Sequence, residues 1–463
     1  MKLGNKSLEN AKFHFIGIGG IGMCGLAELL YNIGAIVTGS DLSENANTER
    51  LKLLGIKIYK EHASTNVGTA NVVVYSSAID TSNPEILEAR KQKIPLIPRA
   101  EALAEIMRLR RGVAIAGTHG KTTTTSLISS IFLEAGKSPT IVVGGRFDKI
   151  KSTALLGKGE WLIAEADESD GSFNKLSPEI AIITNIDSDH MDHFKTFDNL
   201  KKAFLDFAYR IPFYGMLVVC GDDPGTRELF ADFSKRIVFY GFDLKNDYII
   251  EGEKGIYTIF KKNNIFDDTK VKLGVIKLPN APGKHNALNA TASLVAALAA
   301  GIDFEMCALG LEKFEGVDRR FHFKGEINQV KIYDDYGHHP TEVRATLQAF
   351  REKFEKNRLV VYFQPHRFSR TEHCWQDFKT CFTQADVLFL ADIYPAGEAP
   401  IKGITSEKLL SEIKHDNIFY SPIESRQVEK ILKILKPDDI FITLGAGSGW
   451  KLGLDVLEHL KQR

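Results

Sequence analysis

The sequence predicts an α/β fold of three domains built on largely parallel sheets, and three observations predict it. The chain has 463 residues, which at about 150 residues per domain leaves room for three cores. Short apolar runs alternate with helix-compatible segments along its whole length, the pattern of strand–helix–strand units. Glycine-rich, acidic and basic residues are massed directly after those apolar runs, at the strand ends where open α/β sheets bind ligands.

Residues 1–107 read as a Rossmann-like parallel sheet. Lys12–Ile16 is a strand. Gly17-Ile18-Gly19-Gly20-Ile21-Gly22-Met23 follows and opens a helix reaching Tyr31, and a second strand, Ala35–Thr38, ends near Asp41. This is a G-x-G-x-x-G turn with an acidic residue about 20 positions on. Its amides suit a pyrophosphate, and Asp41 suits a sugar hydroxyl or a base edge. A nicotinamide dinucleotide offers both groups, and so does a nucleotide-sugar diphosphate. Val72–Tyr75 is a further strand, with Ser76 and Ser77 at its end either as ligand contacts or as a capping turn. His62 reads as a surface histidine.

Residues 108–316 read as a phosphate-loop ATPase-like α/β domain. The apolar run Val113–Ala116 ends in Gly117-Thr118-His119-Gly120-Lys121-Thr122-Thr123, and a helix is expected over Ser126–Ala135. Glycines let backbone N–H groups converge on a triphosphate, and the helix N-terminus adds its positive end. Lys121 would reach the β- and γ-phosphates, and the Thr122 hydroxyl would face Mg²⁺. Two further strands end in acidic clusters, Glu165-Ala166-Asp167-Glu168-Ser169-Asp170 and Asn185-Ile186-Asp187-Ser188-Asp189-His190. Hard oxygen ligands of this kind suit Mg²⁺ beside a phosphate loop. Lys284-His285-Asn286-Ala287-Leu288-Asn289 opens an alanine-rich helix; its Asn side chains suit an adenine edge or an N-cap.

Residues 317–463 read as a second Rossmann-like α/β domain. Strands end in Asp334-Asp335-Tyr336-Gly337-His338-His339, in Gln364-Pro365-His366-Arg367-Phe368-Ser369-Arg370, in Asp392 and in Gly445. Arg367 and Arg370 match a carboxylate bidentately, while His338 and His339 belong either to a site or to a turn.

Composition narrows the function. Lys+Arg 59 balances Asp+Glu 59, which gives no basic field for nucleic acid or a membrane surface. No apolar segment approaches the roughly 18 residues that span a bilayer. Cys24, Cys220, Cys307, Cys374 and Cys381 form no C-x-x-C pair, so free thiols in a reducing, cytoplasmic setting are expected.

In their order, Gly17–Met23, Gly117–Thr123, Glu165–Asp170, Thr184–Asp192, Gly283–Asn286, Asp318–Phe321, Asp334–Pro340 and Pro365–Thr371 resemble the motifs of the Mur ligases over essentially the whole chain. The resemblance implies an ATP-dependent ligase that joins L-alanine to the lactoyl carboxylate of UDP-N-acetylmuramate through an acyl phosphate, in peptidoglycan precursor synthesis. It implies ATP and Mg²⁺ as cofactors, small-molecule substrates only, and a monomer or homodimer. The glycines Gly17, Gly19, Gly20 and Gly22, with Met23, Asp41, Ser76 and Ser77, would then hold the UDP-sugar rather than NAD. Gly117 to Thr123, His285, Asn286, Asn289, Arg320 and Asp335 would hold ATP, and Thr122, Glu165 and His190 the metal. Tyr336, His338, Arg367 and Arg370 would surround L-alanine. Lys121, Glu165, His190, Arg320 and His338 would carry the chemistry, with His338 a candidate base. A sister ligase that recycles a whole tripeptide shares the first loops and favours Phe-Ala where this chain has Tyr336-Gly337. A dehydrogenase would leave Gly117–Thr123 idle, and a regulatory nucleotide-binding module would bind both nucleotides without turnover.

Overall fold

Lys12–Ile16 buries Phe13, His14, Phe15 and Ile16 together, as a strand covered on both faces must. It is the centre of a five-stranded sheet of order Lys57–Tyr59, Ile36–Ser40, Lys12–Ile16, Val72–Tyr75, Leu96–Pro98, and every pairing in it is parallel. The computed structural model describes residues 2–3, 6–76, 78–150, 152–169, 171–264, 267–422 and 427–462. Ser77 and Asp170 lie outside the described residues.

The central sheet has ten strands. Arg111–Ala116 lies between Trp161–Glu165 and Ile180–Ile183, parallel to both, and all three end at the same edge. The sheet is mixed rather than wholly parallel, because Ser152–Leu155 pairs antiparallel with Thr140–Phe147. Those strands leave little trace in the sequence: glycines Gly144 and Gly145 interrupt one, and the other has four residues. Trp161 is buried at the start of its strand, edge-on to Phe132 at 5.6 Å and under the Arg111 guanidinium at 4.1 Å.

The five-stranded sheet and most of the ten-stranded one fall in one compact unit, Met1–Glu251 with Thr258–Ile276 and Leu288–Phe314. The helix Ile21–Asn32 fastens them together. A Cβ on its Gly25 would sit 2.9 Å from Thr153 Oγ1, so only glycine lets the helix lie this close to Ser152–Leu155. Arg50 ties Glu28 on that helix to Ser152 Oγ, the latter at 2.8 Å.

The second unit is Gly252–Tyr257, Lys277–Ala287 and Glu315–Arg463. Its six-stranded sheet has the order His322–Ile327, Val330–Asp335, Ile440–Leu444, Leu359–Phe363, Val387–Leu390, Ile418–Tyr420. The first pairing is antiparallel and the other four are parallel. All five cysteines are free and buried, and among the described residues no helix is long and apolar enough to cross a membrane.

Candidate active site

Arg111–Ala116 delivers the chain into Gly117 at φ +135° and Gly120 at φ +83°, backbone that side chains resist. A Cβ on Gly117 would lie 2.0 Å from Thr184 Oγ1, and one on Gly120 2.7 Å from Asn289 Oδ1. The neighbouring strand end staples the loop: the amide of His119 donates to Asn185 Oδ1 at 2.9 Å, while Thr184 Oγ1 and Asn185 Nδ2 donate to the His119 carbonyl at 2.6 and 3.1 Å. The Asp187 amide donates to Thr118 Oγ1 at 2.9 Å, and His119 Nε2 lies 3.0 Å from Asp187 Oδ2.

The helix expected at Ser126 begins at Lys121 and runs to Glu134, so Thr122 and Thr123 lie in its first turn. A run of four threonines lowers helix propensity and hides the start. The structure accommodates them by turning hydroxyls back on the helix: Thr124, Thr125 and Ser126 donate to the carbonyls of Gly120, Lys121 and Thr122 at 2.9, 2.8 and 2.8 Å.

Lys121 Nζ donates to the carbonyls of Gly117 and Thr118 at 2.7 and 3.1 Å and meets the two oxygens of Glu168 at 2.8 and 2.7 Å. Burial pulls the ammonium down, but the charges of Glu168, Glu165 and Asp167 more than offset it and hold it above its ordinary value. Burial pushes the Glu168 carboxyl up to about 7, with Lys121 opposing. Thr122 Oγ1 reaches the carboxylate of Glu165 at 2.9 and 3.2 Å, and the Gly144 amide donates to the same group at 2.8 Å. His190, at φ +58°, faces Glu168 at 3.6 Å. The structure thus brings Lys121, Thr122, Glu165 and His190 to one sheet edge. It adds Glu168, Asn185 and Asp187, whose strand-end clusters are visible in the sequence but whose individual parts are not.

At the other glycine loop, the amides of Gly17 and Ile18 donate to the Ser40 carbonyl at 2.8 and 3.0 Å. Asp41 reaches the loop itself, accepting from the Gly19 amide at 2.8 Å, while its other oxygen takes Ser43. Gly20 caps the helix whose first two amides are those of Ile21 and Gly22, and the Met23 side chain is core. Ser76 lies beside Gly17 and accepts from the Ala78 amide at 3.4 Å. Arg99 packs against Gly22 and pairs with Asp167 at 3.2 Å. His62, expected on the surface, is 11% exposed because its Nδ1 lies 2.9 Å from Ser40 Oγ, in a network with the buried Glu85.

His285, Asn286 and Asn289 lie in the first two turns of the helix Lys284–Ala299. Asn286 Nδ2 donates back to the Pro282 carbonyl at 2.8 Å. Burial, reinforced by Arg320, holds His285 down at about 4.

In the second unit, Asp335 accepts from the amides of Phe321 and Gly337 at 2.7 and 2.9 Å and from Thr346 Oγ1 at 3.2 Å. Burial raises its carboxyl, with Arg320 opposing. Arg319 and Arg320 place their guanidinium groups 5.0 and 5.1 Å from the Tyr336 ring. His338 packs edge-on to Tyr336 at 5.3 Å and to His366 at 5.7 Å, and His366 Nδ1 lies 3.3 Å from Arg370 Nη1. Burial, then the charges of Arg370 and Arg367, keep His366 neutral, at about 4. Arg367, at φ +69°, lies 3.8 Å from Glu398. Tyr336, His338, Arg367 and Arg370 therefore belong to one strand-end cluster. Arg319 and His366, which lie inside the Asp318–Phe321 and Pro365–Thr371 motifs but are assigned no role there, join it, as does Glu342, which no motif in the sequence points to.

Three family models match the chain: "Mur ligase family, catalytic domain" over residues 12–111, "Mur ligase middle domain" over 115–297 and "Mur ligase, glutamate ligase domain" over 319–447. The chain is 67% identical over 453 residues to a UDP-N-acetylmuramate–L-alanine ligase of Bdellovibrio bacteriovorus, covering 98% of this chain and 100% of that one. It is 47% identical to the ligase of the same name from a Geobacter species, over 97% and 98%. Among solved structures, the UDP-N-acetylmuramate–alanine ligase of Thermotoga maritima superposes with a TM-score of 0.78 at 28% identity, covering 97% and 99% of the two chains. A murein peptide ligase of Psychrobacter arcticus shares the fold, with a TM-score of 0.72 at 22% identity over 98% and 99%.

Proposed function

The chain belongs to the Mur ligase family, and from that premise we propose that it joins L-alanine to the lactoyl carboxylate of UDP-N-acetylmuramate, converting ATP to ADP and phosphate. The observation that carries this reading is the Lys121–Glu168 pair inside the Gly117–Thr123 loop, beside the Thr122–Glu165 contact. A free carboxylate is a poor acyl donor because oxide is a poor leaving group. Transfer of the γ-phosphoryl group makes an acyl phosphate, whose phosphate leaves readily when an amine attacks.

We assign residues 1–107 to the UDP-sugar, 108–316 to ATP and 317–463 to the amino acid. Gly17, Gly19, Gly20, Gly22, Asp41 and Ser76 form the sugar-nucleotide side, Asp41 by bracing the glycine loop, while Met23, with a core side chain and an amide bonded to the Gly20 carbonyl, supports the loop from behind. The amides of Gly117 to Thr123 cradle the phosphates, and His285, Asn286, Asn289 and Asp335 serve adenosine. Lys121 offsets the charge of a carboxylate brought against a triphosphate, and Arg320 keeps the role that the family's motif implies. Arg367 and Arg370 hold the alanine carboxylate.

The donor set fits Mg²⁺: Thr122 and Glu165 present hard oxygens 2.9 Å apart on the phosphate-loop helix and the adjoining strand end. His190 lies beside Glu168 rather than Glu165, and its nitrogen would be the less usual donor of the set that the family's motif implies. Bound there, the ion supplies positive charge to the phosphate oxygens. With five buried free thiols, the reaction belongs in a reducing cytoplasm.

The test is phosphate release from ATP with each substrate omitted in turn. Release should require UDP-N-acetylmuramate and L-alanine together; equal release without the amino acid contradicts the reading.

A further inference from the structure

We propose that Glu342 is a positioning residue for amide formation: its carboxylate, held beside Nδ1 of His338, stabilises the imidazolium formed when Nε2 of that ring takes a proton from the ammonium of L-alanine. The inference rests on the reading above, in which L-alanine lies among Tyr336, His338, Arg367 and Arg370.

The hydrogen bonds fix the tautomer. His338 Nδ1 lies 3.0 Å from the Tyr336 carbonyl oxygen, which can only accept, so Nδ1 carries the hydrogen. Glu342 Oε2 lies 3.4 Å from the same nitrogen. In a neutral ring the lone pair is then on Nε2. The carboxylate is itself held. Its Oε2 accepts from the amides of His338 and His339 at 3.1 and 3.3 Å, in the capping box that starts the helix Pro340–Lys353. Its Oε1 lies 3.8 Å from Arg320. A carboxylate fixed beside Nδ1–H stabilises the imidazolium formed when Nε2 takes a proton.

The chemistry needs such a group. An amino acid arrives as an ammonium, with no lone pair to attack. One proton passes to His338 Nε2, and the freed lone pair forms the C–N bond at the acyl carbon. The C–O bond to phosphate breaks with its electron pair on the phosphate, and the second nitrogen proton departs with it. His338 is well placed to accept that first proton. Its ring is 5.7 Å from His366, whose Nδ1 is 3.3 Å from Arg370, and an amino acid's carboxylate and amine are one carbon apart.

Hydroxylamine tests the assignment, because it is uncharged at neutral pH and intercepts an acyl phosphate without a base. Wild type and Glu342→Gln are supplied with ATP, Mg²⁺, UDP-N-acetylmuramate and either L-alanine or hydroxylamine. The variant should lose about 100-fold in kcat with L-alanine, keep the alanine KM within about threefold, and form hydroxamate at the wild-type rate. Glu342→Asp, which keeps the charge, should recover part of the alanine rate. Equal losses with both nucleophiles mean that Glu342 acts through Arg320 or through the fold, and overturn the proposal. No loss with either overturns it too. If the wild type itself makes neither product, the substrate reading falls, and this inference with it.

Discussion

Lys121 carries a charge that burial disfavours. Three carboxylates and two loop carbonyls keep it, so on the proposed reading the group would already be charged when a phosphate arrives. Lys121→Ala should therefore cut kcat by at least about 100-fold in a chain that still folds by circular dichroism, with a lower melting temperature because Glu168 loses its buried partner; a near-normal rate would remove the residue from the chemistry. Gly117 makes a different demand. With φ +135° and Thr184 Oγ1 2.0 Å from a Cβ position, Gly117→Ala should lose about 2 kcal/mol or more of stability, read as a fall in melting temperature. An unchanged melting temperature and rate would mean that the loop is softer than its stapling implies.

At the scale of elements, what the sequence discloses is what a strand and its following loop carry in series. Arg111–Ala116 and the glycines behind it are such a unit, and so are Lys12–Ile16 and Gly17–Gly22, which is why both glycine loops are legible in the sequence. Glu168 is 47 residues from the lysine it pairs with, and Asn185 is 66 residues from the His119 amide it holds. Their significance appears only once three strands lie side by side. Glu342 is closer in sequence to its partners, but its capping box starts with histidine rather than serine or threonine, so the usual signature is missing. The threonine run hid the first turn of its helix for a similar local reason.

The second unit also has a pH dependence that its elements set. Burial, with arginines nearby, holds His285 and His366 at about 4, below the ordinary imidazole value of 6.5. Between those values the unfolded chain binds protons that the folded one does not. Their contribution to stability is fully present above about 6.5 and is lost as pH falls toward 4, at up to about 1.4 kcal/mol per pH unit for each group. The urea midpoint should fall between pH 7 and pH 5, and fall less in His366→Gln. An identical fall in that variant would show His366 to be protonated already in the folded state.

At the scale of the whole molecule, the chain holds two anion cradles of one grammar, each a strand, a glycine turn and a helix N-terminus, within its first compact unit. The helix Ile21–Asn32 is locked to the central sheet at Gly25 and through Arg50, and Arg99 links the first loop to the acidic strand end at Asp167. The cradles are thus fixed relative to each other. On the proposed assignment one would hold a nucleotide sugar and the other the nucleotide that activates it, and the central claim is that a phosphoryl group passes between the two ligands. Isotope labelling tests this directly. UDP-N-acetylmuramate carrying ¹⁸O in its lactoyl carboxylate is turned over with ATP, Mg²⁺ and L-alanine, and the released phosphate is analysed by mass spectrometry. An acyl phosphate requires one labelled oxygen to appear in each phosphate formed; phosphate free of the label, with the amide still made, would contradict the account.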